Sequence, residues 1–417
     1  MSALTLLTAR YVFPVAGAPI TDGAVVVEGE RILEVGPAAT LASRYPGARR
    51  VDLGEAALVP AAINAHTHLE LTALEDALPP NLDMAPWILG LMRARGALDA
   101  DALRASAAEG VRRSLASGVA AVGEICSAGE SVGPVVESGL RGVVYYELIG
   151  GDPARADEIL ERGQRQLDAW RATYPDARVR FGLSLHAPYT VSAPLFEKAS
   201  AWARSEGVPV SIHAAESPAE TAWLRDRSGA IRDTLYATLG LPPDLEPAAA
   251  RSPMRYLGVL GALGPDTLLA HGIHVDADDL ALLCETRTAV AHCPRSNSRL
   301  RNGRLPWAAY RAAGVRLALG TDSLASSPSL SIWDEAAYAA DLHARAGEAP
   351  TSAELLRLAT LAGAEALGVA DDLGSLAPGK LARFASAPLM EPATRATPDT
   401  ALDALMSGQA TLSVVRL

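Results

Sequence analysis

Short apolar segments alternate with longer segments of helical periodicity over most of this 417-residue chain. Strands that alternate with helices favour a parallel sheet, because each crossover helix covers one face of the sheet. Eight such units are typical of a closed barrel. We therefore predict an α/β fold with a (β/α)8 TIM-type barrel, whose strands are residues 57–65, 119–125, 141–148, 178–185, 208–213, 267–271, 288–292 and 315–320.

Both chain ends have β-like sequence outside this barrel. Residues 23–35 predict a hairpin with its turn at Gly29, and the tail at residues 413–417 is β-like. We expect a small β-sandwich domain formed from both termini, residues 1–57 and 371–417. The barrel would then occupy residues 58–370.

Charge and cysteine content narrow the class of protein. The chain has 37 basic and 48 acidic residues, a net charge of −11. Nucleic-acid and membrane-surface binders need basic patches, so we expect neither partner and instead a small-molecule substrate. Its three cysteines have no paired spacing, and no apolar run reaches the ~18 residues of a membrane span. We expect a cytoplasmic protein, and self-association as a homodimer stays open.

Histidines cluster where the predicted strands end. His66 and His68 lie two residues apart and therefore point to the same side of the first strand. Functional groups of such barrels lie at the carboxyl ends of the strands. Six of the eight histidines fall at predicted ends, and Asp322 follows the eighth strand: His66, His68, His186, His213, His271 and His292.

Coordination chemistry suggests a role for each of these groups. Three neutral imidazoles and one carboxylate would hold one divalent metal ion, best zinc, with Fe2+ or Mn2+ as alternatives. The predicted ligands are His66, His68, His213 and Asp322. The remaining coordination position of the metal suits a water molecule, whose pKa zinc lowers to about 7. His271 with Asp322 can orient this water or move its proton.

Glu216 follows the ligand His213 by three residues and would reach the substrate face. A partly buried carboxyl group has a raised pKa and can act as a general acid. The alternative is an acidic residue at a helix N-terminus, which the helix dipole stabilises.

Taken together, seven segments resemble the amidohydrolase superfamily, in its branch of aminohydrolases and chlorohydrolases of heterocyclic rings. They are residues 66–68, 185–190, 213–216, 270–274, 291–297, 320–322 and 374–380. The resemblance implies that His271 assists the water and that Glu216 protonates a ring nitrogen. It also implies that His186 contacts a sugar, although a histidine packed under a loop is the alternative. Relatives with two metals carry a lysine where His186 stands, so a single metal is expected.

These parts suit hydrolytic deamination of an aminated heterocycle. Metal-activated water would attack the amino-bearing ring carbon, Glu216 would protonate the adjacent ring nitrogen, and ammonia would leave. Displacement of chloride from a triazine needs the same catalytic groups. The alternative activities of an S-adenosylhomocysteine/methylthioadenosine deaminase, a guanine deaminase and an s-triazine chlorohydrolase therefore stay open. A non-catalytic binding protein on the same scaffold is a further alternative, although such relatives typically lose the ligands that this chain keeps.

The loop after the first strand bears on the substrate. Its Pro86-Trp87 followed by Arg93 and Arg95 is similar to the aminodeoxyfutalosine deaminases of menaquinone biosynthesis, which act on an adenine nucleoside carrying a benzoate. Trp87 could pack on the ligand or lie in the core. The loop shows no clear match to the ribose-binding glutamate of methylthioadenosine deaminases, since Glu75 lies too early. The most specific hypothesis is a 6-amino-6-deoxyfutalosine deaminase.

A benzoate needs an arginine that can hold its carboxylate through two hydrogen bonds. Ser127, just after the second strand, could also face the substrate. The candidate contacts for this part of the substrate are Arg93, Arg95, Arg155 and Ser127.

Overall fold

The structure is a computed structural model that describes residues 4–241, 250–389 and 397–415. The terminal strands are β1 Leu4–Val12, β2 Ile20–Glu28, β3 Arg31–Pro37, β4 Arg49–Asp52, β5 Ala56–Pro60, β14 Phe384–Pro388 and β15 Ser413–Val415. The remaining strands are β6 Ala62–Thr67, β7 Val119–Cys126, β8 Arg141–Leu148, β9 Val179–Leu185, β10 Val210–Ala214, β11 Thr267–His271, β12 Ala289–His292 and β13 Arg316–Leu319.

Helices follow most of the barrel strands in the described ranges. The α-helices are Ala38–Arg44, Met84–Arg95, Ala100–Ala116, Val132–Ser138, Ala156–Thr173, Ala193–Glu206, Pro218–Asp226, Ala237–Leu239, Pro253–Val259, Ala277–Thr286, Pro294–Arg299, Trp307–Ala313, Ile332–Ala344, Ser352–Arg357, Gly363–Ala366 and Pro398–Met406. Leu69–Leu74 and Pro153–Arg155 are 3-10 helices, and Ile231–Tyr236 and Leu358–Ala362 are π-helices.

Strands β6 to β13 form one sheet in which each strand lies beside its neighbour in the sequence. The recorded ladders from β8 to β13 are parallel, and a parallel bridge between Thr67 and Asp322 joins the two ends of the sheet. The amides of Thr321 and Asp322 both donate to the His66 carbonyl at 3.1 Å. The predicted eight-stranded barrel is confirmed, and its closure brings Asp322 beside the His66–His68 pair.

The prediction of one strand at residues 57–65 is wrong in one respect, because the chain forms two strands there, β5 and β6. Pro60 ends β5 and has no amide hydrogen. The Ala61 amide donates to the Arg383 carbonyl at 3.0 Å, whereas the Ala62 amide donates to the Gly118 carbonyl at 2.9 Å. The chain thus changes sheets between Ala61 and Ala62, so β5 pairs with the terminal strand β14 and only β6 enters the barrel.

The terminal strands form a seven-stranded sheet of order β15-β14-β5-β1-β2-β3, with β4 also paired to β1. The predicted hairpin is confirmed, because β2 and β3 pair antiparallel across a turn in which Gly29 has φ 59°. Alternate residues of β1 face opposite sides. Leu7 joins an apolar cluster with Phe384, and Leu6 joins another with Leu41. The strands of both termini therefore form one sheet separate from that of the barrel, as predicted.

Backbone contacts divide the chain into two compact units. One contains residues 1–64, 113–121 and 331–417, and the other contains residues 65–112 and 122–330. The proposed domain limits at 57 and 370 stay a prediction. In the described ranges no helix combines the length and the apolar character needed to cross a membrane.

Gly142 in β8 provides a test of barrel packing. Its φ is +110°, and a Cβ atom added there would lie 2.1 Å from the Val122 carbonyl oxygen. We expect Gly142→Ala to lower the thermal unfolding midpoint and to cost about 3 kcal/mol or more, since backbone has to move. Gly207→Ala is the matched control because its φ is +63° but nothing lies within 4 Å; it should cost about 1 kcal/mol. Equal losses in the two variants would contradict this packing argument.

Candidate active site

The predicted metal ligands meet at the carboxyl ends of β6, β10 and β13. Asp322 Oδ1 lies 3.5 Å from His68 Nε2 and 4.0 Å from His66 Nε2. His213 Nε2 lies 3.3 Å from His68 Nε2. The His66 ring centroid is 4.9 Å from those of both His68 and His213. The structure therefore brings all four predicted ligands together.

Hydrogen bonding fixes which nitrogen His213 directs into this group. His213 Nδ1 lies 2.9 Å from the His186 backbone carbonyl, which can only accept, so Nδ1 carries the proton. In the neutral ring, Nε2 then has a free lone pair next to His68. Burial and the neighbouring His66, His186, His68 and His271 rings lower the pKa of His213 well below its usual value. The neutral form is the one that binds metals.

His66 gives the clearest sign that the group suits a metal ion. It is fully buried, and neither ring nitrogen has a hydrogen-bond partner among the described residues. Burial, followed by the electrostatic effect of the neighbouring His68 ring, lowers the pKa of His66 well below its usual value. A buried polar atom without a partner is costly, and a divalent cation would satisfy it. The donor set of imidazole nitrogens and one carboxylate oxygen fits zinc.

Asp322 is held as an ionised, oriented carboxylate. Its Oδ2 accepts from the Ser296 hydroxyl at 2.6 Å and from the Ser326 hydroxyl at 3.0 Å, while Oδ1 accepts from the Ser323 amide at 2.8 Å. Burial alone would raise the pKa of Asp322, but the nearby His68, His271 and His66 rings, with the hydrogen bond from Ser296, lower it overall. Such partners in the outer shell orient a ligand and tune its basicity.

The hydrogen bonds of His271 leave one of its ring nitrogens as an acceptor beside the predicted metal ligands. Its Nδ1 lies 2.8 Å from Asn297 Oδ1, and its Nε2 lies 3.5 Å from Glu216 Oε1. The Asn297 carbonyl accepts from Nδ1–H, so Nε2 of the neutral ring is an acceptor. Burial lowers the pKa of His271. His66, His213 and His271 also form a possible ligand group, so His271 as water-positioning residue stays a prediction.

The turn after β10 places Glu216. Ala215 has φ 52°, and the Glu220 carboxylate accepts from the amides of Ala215 at 3.1 Å and Glu216 at 2.8 Å. Ser217 caps the next helix by accepting from the Glu220 amide. The Glu216 side chain is buried and points back to His271 rather than along the helix. Burial, with a contribution from Asp322, raises its pKa well above the usual value, as a general acid requires.

Asn302 forms a hydrogen bond that affects the pKa of Glu216. Its side-chain amide donates to Glu216 Oε1 at 3.0 Å and so opposes the rise in pKa. We expect Asn302→Leu to move the alkaline limb of kcat/KM to higher pH, because the ionised form of Glu216 loses a donor. His274→Gln, which disturbs the same loop through the Asn302 carbonyl, should leave that limb in place. A limb that moves equally in both variants would contradict this role.

The residues predicted to bind substrate fall into two groups. His186 Nδ1 lies 2.6 Å from Thr190 Oγ1, and Ser127 donates to Glu147 at 2.5 Å, both at strand ends near the ligands. Trp87 instead packs in an apolar cluster with Leu71, Leu74, Leu78, Met84, Leu300 and Ala325, which is the core alternative.

The three candidate arginines have different surroundings. Arg93 is exposed, and Arg155 is exposed and forms two hydrogen bonds to Glu158. Arg95 is half-buried, and its Nε has no hydrogen-bond partner among the described residues.

Sequence reasoning gave no role to Glu147, Asn297 and Asn302. Glu147 could have been found, because it lies in the last two residues of a predicted strand. Asn297 lies inside a motif that carried the resemblance, yet its contact with His271 depends on the barrel. The Asn302 contact joins residues 86 positions apart, and no local pattern reports it.

Known proteins resemble the chain over most of its length. Residues 57–412 match the family described as the amidohydrolase family, and residues 23–48 match an imidazolonepropionase-like composite domain of bacteria. An aminodeoxyfutalosine deaminase from Deinococcus radiodurans is 35% identical over 344 residues, 81% of this chain and 80% of that protein.

Two further relatives carry deaminase names. A 5-methylthioadenosine/S-adenosylhomocysteine deaminase from Symbiobacterium thermophilum is 30% identical over 87% of this chain and 79% of its own. The crystal structure of an adenosine deaminase from Xanthomonas campestris with bound zinc is 28% identical, covers 98% of this chain and 91% of its own, and has a TM-score of 0.81. Similarity in sequence and in fold therefore points to one family.

Proposed function

The chain belongs to the amidohydrolase family and is a hydrolase of carbon–nitrogen bonds, and we propose that its substrate is an adenine-type nucleoside, 6-amino-6-deoxyfutalosine. The carrying observation is that the two buried groups Glu216 and His271, 3.5 Å apart, adjoin the predicted metal ligands. The name of the D. radiodurans relative, with 35% identity, supports the choice of substrate.

The proposed chemistry assigns a role to each of these side chains. A divalent ion held by His66, His68, His213 and Asp322, best zinc, would supply Lewis-acid activation of water at neutral pH. His271 Nε2 accepts a hydrogen bond and so orients the water towards the amino-bearing ring carbon. Glu216 delivers its proton to the adjacent ring nitrogen. His271 and Asp322 take the proton that the attacking water loses and return it to the amino group, which leaves as ammonia while the ring carbon keeps the oxygen.

The benzoate of this substrate needs a cationic partner. Arg95 suits this role best among the three candidates, because it is half-buried and its Nε has no partner among the described residues. Arg155 is already paired with Glu158, and Arg93 is exposed.

A substrate panel tests the proposal. Purified enzyme with its metal content measured would be assayed against aminodeoxyfutalosine, adenosine, methylthioadenosine, S-adenosylhomocysteine, guanine and a chloro-triazine, with ammonia or chloride release as the readout. We expect the highest kcat/KM for aminodeoxyfutalosine. Preference for guanine or for the triazine would refute the substrate assignment but keep the reaction class. A metal-loaded enzyme inactive on all six would favour a binding protein on this scaffold.

A further inference from the structure

A second buried carboxylate, that of Glu220, lies behind the general-acid candidate Glu216. Glu220 Oε1 accepts from the Ala215 amide at 3.1 Å, and Oε2 accepts from the Glu216 amide at 2.8 Å. The Glu220 residue is fully buried, and a carboxylate is costly to bury unless donors satisfy its oxygens. The proposed chemistry gives Glu220 no role, so its burial needs an explanation of its own.

Capping of the following helix does not account for these contacts. Glu220 is the third residue of the helix Pro218–Asp226, whose N-cap is Ser217. In a capping box the side chain at this position accepts from the N-cap amide, as Glu354 does from the Thr351 amide at 2.7 Å. Glu220 instead accepts from the amides of the two residues that precede the N-cap. Its carboxylate therefore holds the turn before the helix rather than the first turn of the helix.

This turn has a conformation that needs support. Ala215 has φ 52°, in the left-handed region that residues with a side chain adopt only where the surrounding structure holds them there. The Ala215 amide donates to Glu220, and the Ala215 carbonyl accepts from the Ile273 amide at 2.8 Å. The Ala215 peptide groups thus join the turn that carries Glu216 to the loop that follows His271.

The two side chains served by this junction are the ones that the proposed reaction requires in register. Glu216 Oε1 lies 3.5 Å from His271 Nε2. A proton donor is effective only when it is held within hydrogen-bond reach of the group that it protonates. A displacement of about 1 Å, caused by a residue that does not touch the substrate, can cost about 10²-fold in rate.

We propose that Glu220 is a positioning residue for the general acid. Its carboxylate binds the amides of Ala215 and Glu216 and so keeps the Glu216 carboxyl group beside His271. This inference rests on the proposed function, in which Glu216 protonates the ring nitrogen. Because Glu220 acts through Glu216, its contribution lies in the chemical step and disappears when residue 216 has no proton to give.

A double-mutant cycle of Glu220→Gln and Glu216→Gln tests this role, with the best nucleoside of the substrate panel. Glutamine has one acceptor oxygen in place of two, so at least one of the two amides loses its partner. We expect Glu220→Gln to lower kcat about 10- to 100-fold and to change KM less than about 3-fold. In the Glu216→Gln background the same substitution should lower kcat less than about 3-fold. Metal per chain should equal that of wild type.

Two further variants separate positioning from a general loss of stability. Glu354→Gln changes the same helix position in the other compact unit and should match wild type in kcat and KM. Glu220→Asp keeps the charge, but its side chain is one methylene shorter and cannot reach both amides. It should repeat the pattern of Glu220→Gln, and it replaces that variant if thermal unfolding shows that Glu220→Gln does not fold.

The outcomes distinguish this inference from the proposed function. Equal losses for the Glu220 variant in both backgrounds, wild-type kcat, or a change confined to KM would overturn the positioning role while the deaminase proposal stands. Glu216→Gln that keeps near wild-type kcat would instead refute the general acid, and this inference with it.

Discussion

Glu216→Gln is expected to lower kcat/KM about 10³-fold, within the range that general acid–base catalysis contributes. Glutamine keeps the shape of the side chain and an acceptor for Asn302, but it has no proton to deliver to the ring nitrogen. Because burial raises the pKa of Glu216, its proton is present below that raised pKa and is lost as the pH increases through it. Wild-type activity should therefore fall on the alkaline side, and the residual activity of the variant should lack this limb.

Three measurements make this result specific. Metal content should equal that of wild type, and KM should change little, since the loss lies in the chemical step. The control is Glu161→Gln, whose carboxylate pairs with Arg165 at an exposed position and should have no effect. Glu216→Gln with near wild-type kcat/KM would refute the general-acid role. The same alkaline limb in both enzymes would assign that limb to another group.

The strand ends explain why much of the candidate site could be predicted from the sequence. A buried strand has a period of two, so His66 and His68 had to share one face. Parallel strands of a closed barrel bring their carboxyl ends to one rim, and this places His213 and Asp322 near that pair. Each of these inferences needs only local sequence and one rule of topology.

Contacts that depend on loop conformation could not be predicted in this way. Trp87 has the same helical pattern whether it faces a ligand or a core, and only the fold shows its packing against Leu300. Arg155 looked available because its partner Glu158 becomes a neighbour only once Ala156–Thr173 forms a helix. The Asn302 amide reaches Glu216 through a loop after β12 whose path no periodicity specifies.

Substitution of a metal ligand should, like Glu216→Gln, greatly lower the activity. We expect His66→Asn and His68→Ala each to lose bound metal and to lower kcat/KM by more than about 100-fold, because even outer-shell partners of a ligand cost up to that factor. The direct readout is metal per chain by mass spectrometry, which does not depend on turnover. His66 is the stricter test because it is fully buried and its nitrogens have no other partner among the described residues.

The comparison of these two variants also tests how the barrel holds the ion. Asp322 Oδ1 is closer to His68 than to His66, at 3.5 and 4.0 Å, so both imidazoles share one carboxylate. If a single ion lies between them, either substitution should remove the whole stoichiometric metal rather than a fraction of it. His274→Gln, at a histidine outside this group, should retain metal and most of the activity. Full metal content in both ligand variants would refute the assignment of His66 and His68 as metal ligands.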